Sequence, residues 1–598
     1  MKLKVRKTTL QKMKKTWKIK KSVPKEFLKK FKEIDPILLQ LFFNRGLKTK
    51  KDINDFISIN YEKDVFDPYL LSGVKEGVER IKIAAENKEK VCVYGDYDAD
   101  GICGSTILNQ TLLKIGIVPE VYIPDRKKGY GLNAEAIAEL SKKGISLIVT
   151  TDCGISDIKE VEIAKKLNID VIITDHHLFP PKPPKAHVII NPRKKGEKYP
   201  NKELSGAGVA FKLASGLIKA YPKIFKPGEE KWLLDLVAIA TVADMMNLYG
   251  ENRTLVKYGL LVLAKTKRLG LKTLLDSAGV KDIRVKWIDR KNSRFVLENI
   301  DAYTIGFIIG PRLNAAGRMD HANIAFYLLN SNSKSEAEKF SKQLTQKNQT
   351  RQRLQLKIIT EIEKGITKEE IEKDKVIIRG DETYPRGIVG LISGRLTDRH
   401  YRPSFVYQIE DGHARGSCRS IPEMNIVEIL KACSSHLKEY GGHKGAAGFS
   451  FETKKSTHLK TCLIRETKKA LKGKKLIPVI GVDLALKFSQ VTLGLKKTFE
   501  ELEPFGQGNP EPVFLIENAR VITVKKIGSK KNHLLITLKK TENGKDFYLR
   551  ALLFENATET KGIKVDELYD FVFAPLFDEW QGEKRVTLKV IEWKLANG

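Results

Sequence analysis

The chain has 598 residues, enough for three or four domains that each bury a core, and its 107 Lys and Arg against 73 Asp and Glu leave a formal net charge of +34. That excess points to a polyanionic partner, nucleic acid before membrane. No stretch approaches about eighteen continuous apolar residues and the N-terminus lacks an apolar signal segment, which argues against a membrane protein or an exported one and for the cytoplasm. The six cysteines, Cys92, Cys103, Cys153, Cys418, Cys433 and Cys462, form no CxxC pair, and several sit in apolar strands. Reduced, buried thiols are expected, not disulfides or zinc ligands.

Met1 to Lys21 carries ten basic residues and no acid, the composition of a solvated arm able to touch a nucleic-acid backbone. Short helical patterns with Leu38, Leu39, Leu41, Phe42 and Phe43 then make residues 1–65 a basic arm and helical lead-in. The next stretch, VCVYGDYDADGICGSTIL from Val91 to Leu108, opens as a buried strand and places Asp96, Asp98 and Asp100 on alternate positions before Gly101. Carboxylates this close repel one another unless a cation sits among them. Downstream, strand and helix alternate: helix 105–115, strand 120–123, helix 133–143, strand 146–151 ending at Asp152, helix 157–167, and strand 170–174 ending in Asp175, His176 and His177. A later apolar segment, Leu236 to Ala243, terminates at Asp244. Alternation of this kind implies an α/β fold with a parallel sheet, whose ligands gather beyond the carboxyl ends of the strands, and all four acidic clusters are expected there. One Asp after a strand is usually a turn or a cap; four such ends with paired histidines point to a metal site.

The strings GDYDADG at Gly95–Gly101, TTDCG at Thr150–Gly154, TDHH at Thr174–His177 and VADMMNL at Val242–Leu248 resemble, in the same order, the four motifs of the DHH phosphoesterase superfamily. GPRLNAAGR at Gly310–Arg318, RGSCRS at Arg415–Ser420 and GGHKGAAGF at Gly441–Phe449 resemble its RecJ branch of single-strand-specific exonucleases. The likeness runs from about residue 66 to the C-terminus. It implies a DHH catalytic domain over 66–330, a connector helix over 331–373, a DHH-associated substrate domain over 374–474 and an OB-like single-strand-binding barrel over 475–598.

The resemblance also implies two divalent cations. Asp152 would bridge both, Asp98 would bind one, and Asp100, His176 and Asp244 the other. Oxygen ligands with one imidazole suit Mn2+ or Mg2+, and paired cations serve phosphodiester hydrolysis. Asp96 and Asp175 would orient ligands or water, and His177 would face the phosphate or leaving group. Two departures stand out: Asn247 replaces an expected proline, and Tyr94 stands where pyrophosphatase relatives carry a histidine ligand, leaving the first metal more loosely held and completed by water.

Residues 335–373 lose strand signals and read as a long polar helix, on which Arg351 and Arg353 either face a strand across the cleft or, by default, lie on a solvated face. Arg415, Ser417 and Arg419 lie close together in the following lobe, where guanidinium forks and glycines suit phosphate oxygens. His443 of the Gly-Gly-His string is expected to contact phosphate in the closed cleft. Arg312 and Arg318 would contribute similarly, as would Arg126 and Tyr130 of RKKGY. From about residue 475 the sequence is strand-dominated, with five or six alternating segments, and Lys525, Lys526, Lys530 and Lys531 near aromatic residues suit single-strand binding.

Charge and acidic clusters point to metal-dependent cleavage of nucleic acid, and the resemblance to the RecJ branch implies an exonuclease that degrades single-stranded DNA from the 5′ end and releases nucleoside 5′-monophosphates, in DNA repair and recombination. A helicase or a single-strand-binding protein is the class of protein partner expected. Other DHH enzymes act on short oligoribonucleotides or cyclic dinucleotides, with chains that are usually shorter and lack the barrel. A catalytically dead nucleic-acid-binding scaffold would have lost metal carboxylates, yet Asp98, Asp100, Asp152 and Asp244 are all present.

Overall fold

The computed structural model describes residues 15–126, 129–290, 294–554, 563–580 and 583–596. Its chain forms two compact units: one holds residues 58–474 together with 504–509, the other the lead-in up to Ile57 with 475–503 and 510 onward.

The larger unit contains a five-stranded parallel sheet. Its strands and helices run β1 (Lys90–Gly95), α1 (Ala99–Lys114), β2 (Glu120–Tyr122), α2 (Ala134–Lys142), β3 (Ile145–Thr151), α3 (Ile158–Lys166), β4 (Asp170–Thr174) and β5 (Val188–Ile190). The spatial order is β2-β1-β3-β4-β5. Nearly every residue of β1, β3 and β4 is buried, because helices cover both faces of a parallel sheet. Register then aligns the strand ends: Gly95 pairs with Thr151, and Thr151 with Thr174. Asp96, Asp152 and Asp175, each one residue further on, therefore leave the sheet at one level.

The fourth motif differs from its expected setting. Leu234–Ala243 is a helix, α5, following α4 (Gly206–Ala220), and Asp244 is its C-cap. An apolar run without periodicity does not distinguish a buried strand from a buried helix; here Leu234 through Thr241 is buried around the whole circumference. A π-helical turn, Thr304–Ile309, runs into α6 (Gly310–Met319), and α7 (Lys334–Lys364) is the long connector. The last lobe of this unit is a mixed sheet of β6 (Ile377–Asp381), β7 (Ser404–Glu410), β8 (His413–Arg419), β9 (Glu439–His443) and β10 (Ala446–Glu452), in the order β9-β10-β8-β7-β6.

The smaller unit is built on β11 (Phe514–Ile527), β12 (His533–Glu542), β13 (Lys545–Leu553), β14 (Leu568–Trp580) and β15 (Glu583–Leu595). They follow the order β11-β12-β13-β15-β14, and a β11–β14 pairing closes them into a barrel. Two of the expected strands are one, β11, bent at a bulge between Ile516 and Ala519. Phe514, Tyr569, Phe571 and Phe573 fill the core, whereas Lys525, Lys526, Lys530 and Lys531 are exposed.

The lead-in, expected as a separate piece, packs with this barrel: Thr16–Ile19 pairs in parallel with Val479–Val482, and Lys20 bonds Asp483 at 2.8 Å. Pairing across so much sequence leaves no local signature. Residues 1–14 of the basic arm lie outside the described residues.

One cysteine expectation is corrected. Cys92, Cys103, Cys153 and Cys418 are free and buried, but Cys433 and Cys462 form a disulfide with Cα atoms 5.9 Å apart. Packing of two helices brings together positions that show no spacing pattern in the sequence. No helix among the described residues is long and apolar enough to cross a membrane.

Candidate metal centre

Asp98 is the N-cap of α1: its Oδ1 accepts the N–H groups of Asp100 at 2.9 Å and Gly101 at 3.2 Å. Gly101 is required at that turn, since a Cβ there would lie 2.6 Å from the backbone of Asp96. Asp100, in the first turn of α1, accepts 2.7 Å hydrogen bonds from Gly206 N and Ala207 N at the start of α4. A helix N-terminus offers free N–H groups to a carboxylate, which explains how so crowded an acid is tolerated. Asp152 takes φ of 63°, and its N–H bonds Thr174 O at 2.9 Å, turning its carboxylate back across the sheet end.

His176 Nε2 lies 3.2 Å from Asp152 Oδ1, 3.5 Å from Asp244 Oδ2 and 3.9 Å from Asp100 Oδ2. Three overlapping groups place ligand atoms within 4.8 Å of one another: Asp100, His176 and Asp244; Asp96, Asp98 and Asp152; and Asp152, His176 and His177. The first matches the expected second-metal set, with Asp152 adjoining it through His176. In the second group, Asp96 stands among the ligand atoms where an orienting role was expected. Tyr94 is wholly buried on the core side, donating to Gly131 O at 3.2 Å and stacked on Tyr122, and belongs to none of these groups.

The electrostatics follow from burial and crowding. Burial first, and the charge of Asp98 second, raise Asp100 to about 7. Burial, then Asp100 and Asp98, raise Asp244 to about 8. Asp96 and Asp152 are pushed well above the usual carboxylate range for the same reasons. Burial, aided by the charge of His177, lowers His176 to about 4, leaving a neutral imidazole suited to ligation. Asp96 Oδ1 and Asp152 Oδ1 are buried without a hydrogen-bond partner. Unpaired buried carboxylate oxygens beside a neutral imidazole fit hard divalent cations, which would relieve both the repulsion and the unmet valence.

Asp175 is committed differently. Its carboxylate accepts Ile155 N, His176 N and His177 N, and its Oδ1 lies 2.8 Å from His177 Nδ1. Burial opposes the charge on His177, but the hydrogen bond and charge of Asp175 prevail and raise it to about 9. The Tyr130 hydroxyl donates to Asp152 O and lies 3.2 Å from His177 Nδ1.

A cationic cluster adjoins these acids. The Arg126 guanidinium stacks 4.1 Å from the Tyr97 ring centre, and Arg318 donates to Gly387 O at 3.1 Å. Burial, then the charge of Arg126, lowers Arg318 to about 10. Arg386 lies within electrostatic reach of Arg415, Tyr97 and Arg126. Arg415, Ser417 and Arg419 alternate along β8 and so share a face, with Arg419 donating to Ser417 Oγ at 2.9 Å. Arg351 turns inward, bonded to Asn348 at 2.6 Å, whereas Arg353 stays exposed.

Two further expected contacts have these surroundings. Arg312 donates to Ile308 O at 2.8 Å, at the opposite end of α6 from Arg318, and His443 is exposed at the tip of the β9–β10 hairpin. Sequence reasoning missed Tyr97, Arg386 and Asn314, whose Oδ1 accepts Ala99 N at 2.7 Å. Tyr97 was signalled only by its place between two aspartates, and Asn314 by the GPRLNAAGR string. Lys127 and Lys128 of RKKGY lie outside the described residues.

Three family models match: the DHH family N-terminal domain over residues 90–241, the DHHA1 domain over 373–469 and the RecJ OB domain over 482–592. The chain is 36% identical over 570 residues to the single-stranded-DNA-specific exonuclease RecJ of Bacillus subtilis (strain 168), covering 94% of this chain and 69% of that one. Among solved structures, RecJ in complex with Mn2+ from Thermus thermophilus superimposes with a TM-score of 0.79 at 24% identity, covering 98% of this chain and 80% of that one. An exonuclease RecJ bound to manganese gives a TM-score of 0.57 at 29% identity, over 68% of this chain and 98% of that one. On motifs, domain order and 36% identity over 94% of its residues together, the chain belongs to the RecJ family of DHH proteins.

Proposed function

We propose that this chain is a single-stranded-DNA-specific exonuclease that hydrolyses phosphodiesters from the 5′ end and releases nucleoside 5′-monophosphates, with two divalent cations, Mn2+ or Mg2+, as cofactors. One observation carries the reading. Aligned strand ends and two helix termini bring Asp96, Asp98, Asp100, Asp152, His176 and Asp244 into overlapping ligand groups, in a chain more than one-third identical to a single-strand-specific exonuclease.

Cations bound there would supply Lewis acidity that activates water and neutralises the leaving oxygen. The residues of the chain do the rest. Asp98 is held by the N–H groups of Asp100 and Gly101, and Asp100 by those of Gly206 and Ala207, so the carboxylates are oriented before substrate arrives. Asp175 fixes His177 and its charge favours the protonated imidazole, which would donate a hydrogen bond to a phosphate oxygen. Arg126, Arg318, Arg415, Ser417 and Arg419 bind phosphates of the strand end, with Tyr97 holding the Arg126 plane in place.

The barrel, with its exposed lysines, holds the incoming strand. Such an enzyme serves DNA repair and recombination in the cytoplasm, with a helicase or single-strand-binding protein supplying the single strand. The test uses 5′- and 3′-labelled single- and double-stranded DNA and RNA with Mn2+, alongside Asp152→Ala. Mononucleotides should appear from the 5′ end of single-stranded DNA only. The variant should be folded and inactive while keeping much of its DNA affinity, because phosphate contacts supply most binding. Near-normal turnover by Asp152→Ala, or attack from the 3′ end, overturns the reading.

A further inference from the structure

Helix α6 is entered through the π-helical turn Thr304–Ile309, a rare form that is frequent at functional sites. This turn presents Tyr303 and Phe307, whose rings stack with centroids 4.5 Å apart and planes at 21°. Both rings face water, Tyr303 at 62% and Phe307 at 65% exposure, unlike the buried aromatic pairs of the sheets. Two large rings held together yet left in solvent forgo the stabilisation of burial, the mark of a surface kept for a partner.

Their position says what the partner is. A Cβ on Gly306 would touch Val242 Cγ1 at 3.6 Å, and one on Gly310 would touch Ala243 Cβ at 3.4 Å. The turn thus packs on the two residues that precede Asp244. Met245, directly after Asp244, is itself 64% exposed with φ of 59°. Arg312 lies one turn beyond Phe307, bonded to Ile308 O, and its Nε is buried without a partner. At the far end of the same helix, about 16 Å from Phe307 at roughly 1.5 Å per residue, Arg318 joins the cluster assigned to the strand end. One helix therefore carries the phosphate-binding arginine at one end and an aromatic pair with a cation at the other, with the metal ligand Asp244 beside it.

We propose that Tyr303 and Phe307 are a stacking platform for nucleobases of the DNA strand that remains after cleavage, with Arg312 contacting its phosphate. The inference rests on the exonuclease reading above and names a base-binding site within it. Aromatic faces accept any base, which suits an enzyme that must degrade every sequence. The chain's net charge of +34 favours a polyanion over an acid-poor protein surface at this position.

The test compares the full-length wild type with Tyr303→Ala/Phe307→Ala and with Phe307→Trp. Equilibrium binding is measured in EDTA by fluorescence anisotropy, with oligo(dT) and with an equally long strand carrying abasic sites beyond its first two nucleotides. Digestion is measured separately with Mn2+. The wild type should bind oligo(dT) about tenfold tighter than the abasic strand, and the double variant should lose most of that difference, since each stacked base contributes about that much. In digestion the double variant should raise KM for long strands about tenfold with kcat unchanged, leave dinucleotide hydrolysis intact, and be rescued by Phe307→Trp. Equal discrimination between the two strands by wild type and double variant overturns the platform. So does an unchanged KM for long strands. If the wild type binds as described but digests nothing, the exonuclease reading fails while the base-binding site stands.

Discussion

Asp175 Oδ1 lies 2.8 Å from His177 Nδ1, and the same carboxylate accepts the backbone N–H groups of His176 and His177. The acid that follows β4 is thereby spent on orienting an imidazole and on keeping its charge. Asp175→Asn removes the charge and leaves an amide N–H against those donors. The variant should retain bound Mn2+ and its fold but lose about 10²-fold in single-turnover rate, the size of effect expected when a positioned proton donor is disturbed. Metal analysis and single-turnover kinetics together check this. A normal rate would remove the role of the pair, and loss of a cation would assign Asp175 to holding the metal ligands in place.

Stability of the metal-free protein should fall with rising pH. Asp100, raised to about 7, and Asp244, raised to about 8, keep protons in the folded state that the unfolded chain has already released, since its carboxylates titrate near 3.8. From pH 6.5 to 8 the folded state therefore binds more protons than the unfolded state, and each rise in pH favours unfolding. His177, raised to about 9, acts in the same direction: its contribution is complete below the ordinary imidazole value and is lost as pH climbs through 9. His176, lowered to about 4, acts oppositely only below its ordinary value of 6.5, outside this window. In EDTA, Tm should drop by about 2–4 °C or more between pH 6.5 and 8.5, and saturating Mn2+ should abolish the drop because cation binding needs the deprotonated acids. A flat profile in EDTA would contradict the raised carboxylates.

Gly387→Ala should loosen the approach of the β6–β10 lobe to α6. A Cβ there would lie 2.1 Å from Arg318 O, a backbone atom that cannot swing aside, in the loop where Arg318 reaches Gly387 O. Overpacking of this kind costs about 1–3 kcal/mol. The lobe should shift, weakening the end-phosphate contacts: KM should rise for all strand lengths while Mn2+ content stays normal. Wild-type KM in a folded variant would show that this contact does not set the cleft.

Removal of residues from 475 onward should weaken long-strand binding and its salt dependence, as loss of a single-strand-binding barrel requires. It should also damage the metal centre. The loop Pro504–Asn509 braces itself through Gly506 and Asn509, and its Gln507 O accepts Leu248 N at 2.9 Å, four residues after Asp244. The truncated protein should bind Mn2+ about tenfold more weakly even if folded, an effect of the size of one lost buried hydrogen bond. Titration calorimetry with Mn2+ on the truncation and on full-length Gly506→Val checks this. Unchanged Mn2+ affinity in both would confine the C-terminal region to strand binding.

The local chemistry of this protein can be read from the order of its residues. Helix and strand alternation over residues 90–190 follows from hydrophobic period and β-branched runs, and the limits of β4 at Asp170 and Thr174 are legible because turn residues flank it. The acidic strings were legible as a metal site because four acid-bearing ends, one with paired histidines, are more than turns and caps account for. Which of them meet is set by the folded chain, since contact between residues far apart depends on register and packing that no local window contains. Strand register sets Asp96, Asp152 and Asp175 level, a buried helix end delivers Asp244, and Asp96 joins Asp98 and Asp152 in one ligand group. The same reason hid the pairing of Thr16–Ile19 with Val479–Val482, the Cys433–Cys462 disulfide and the exposure of Tyr303 and Phe307 beside the fourth motif.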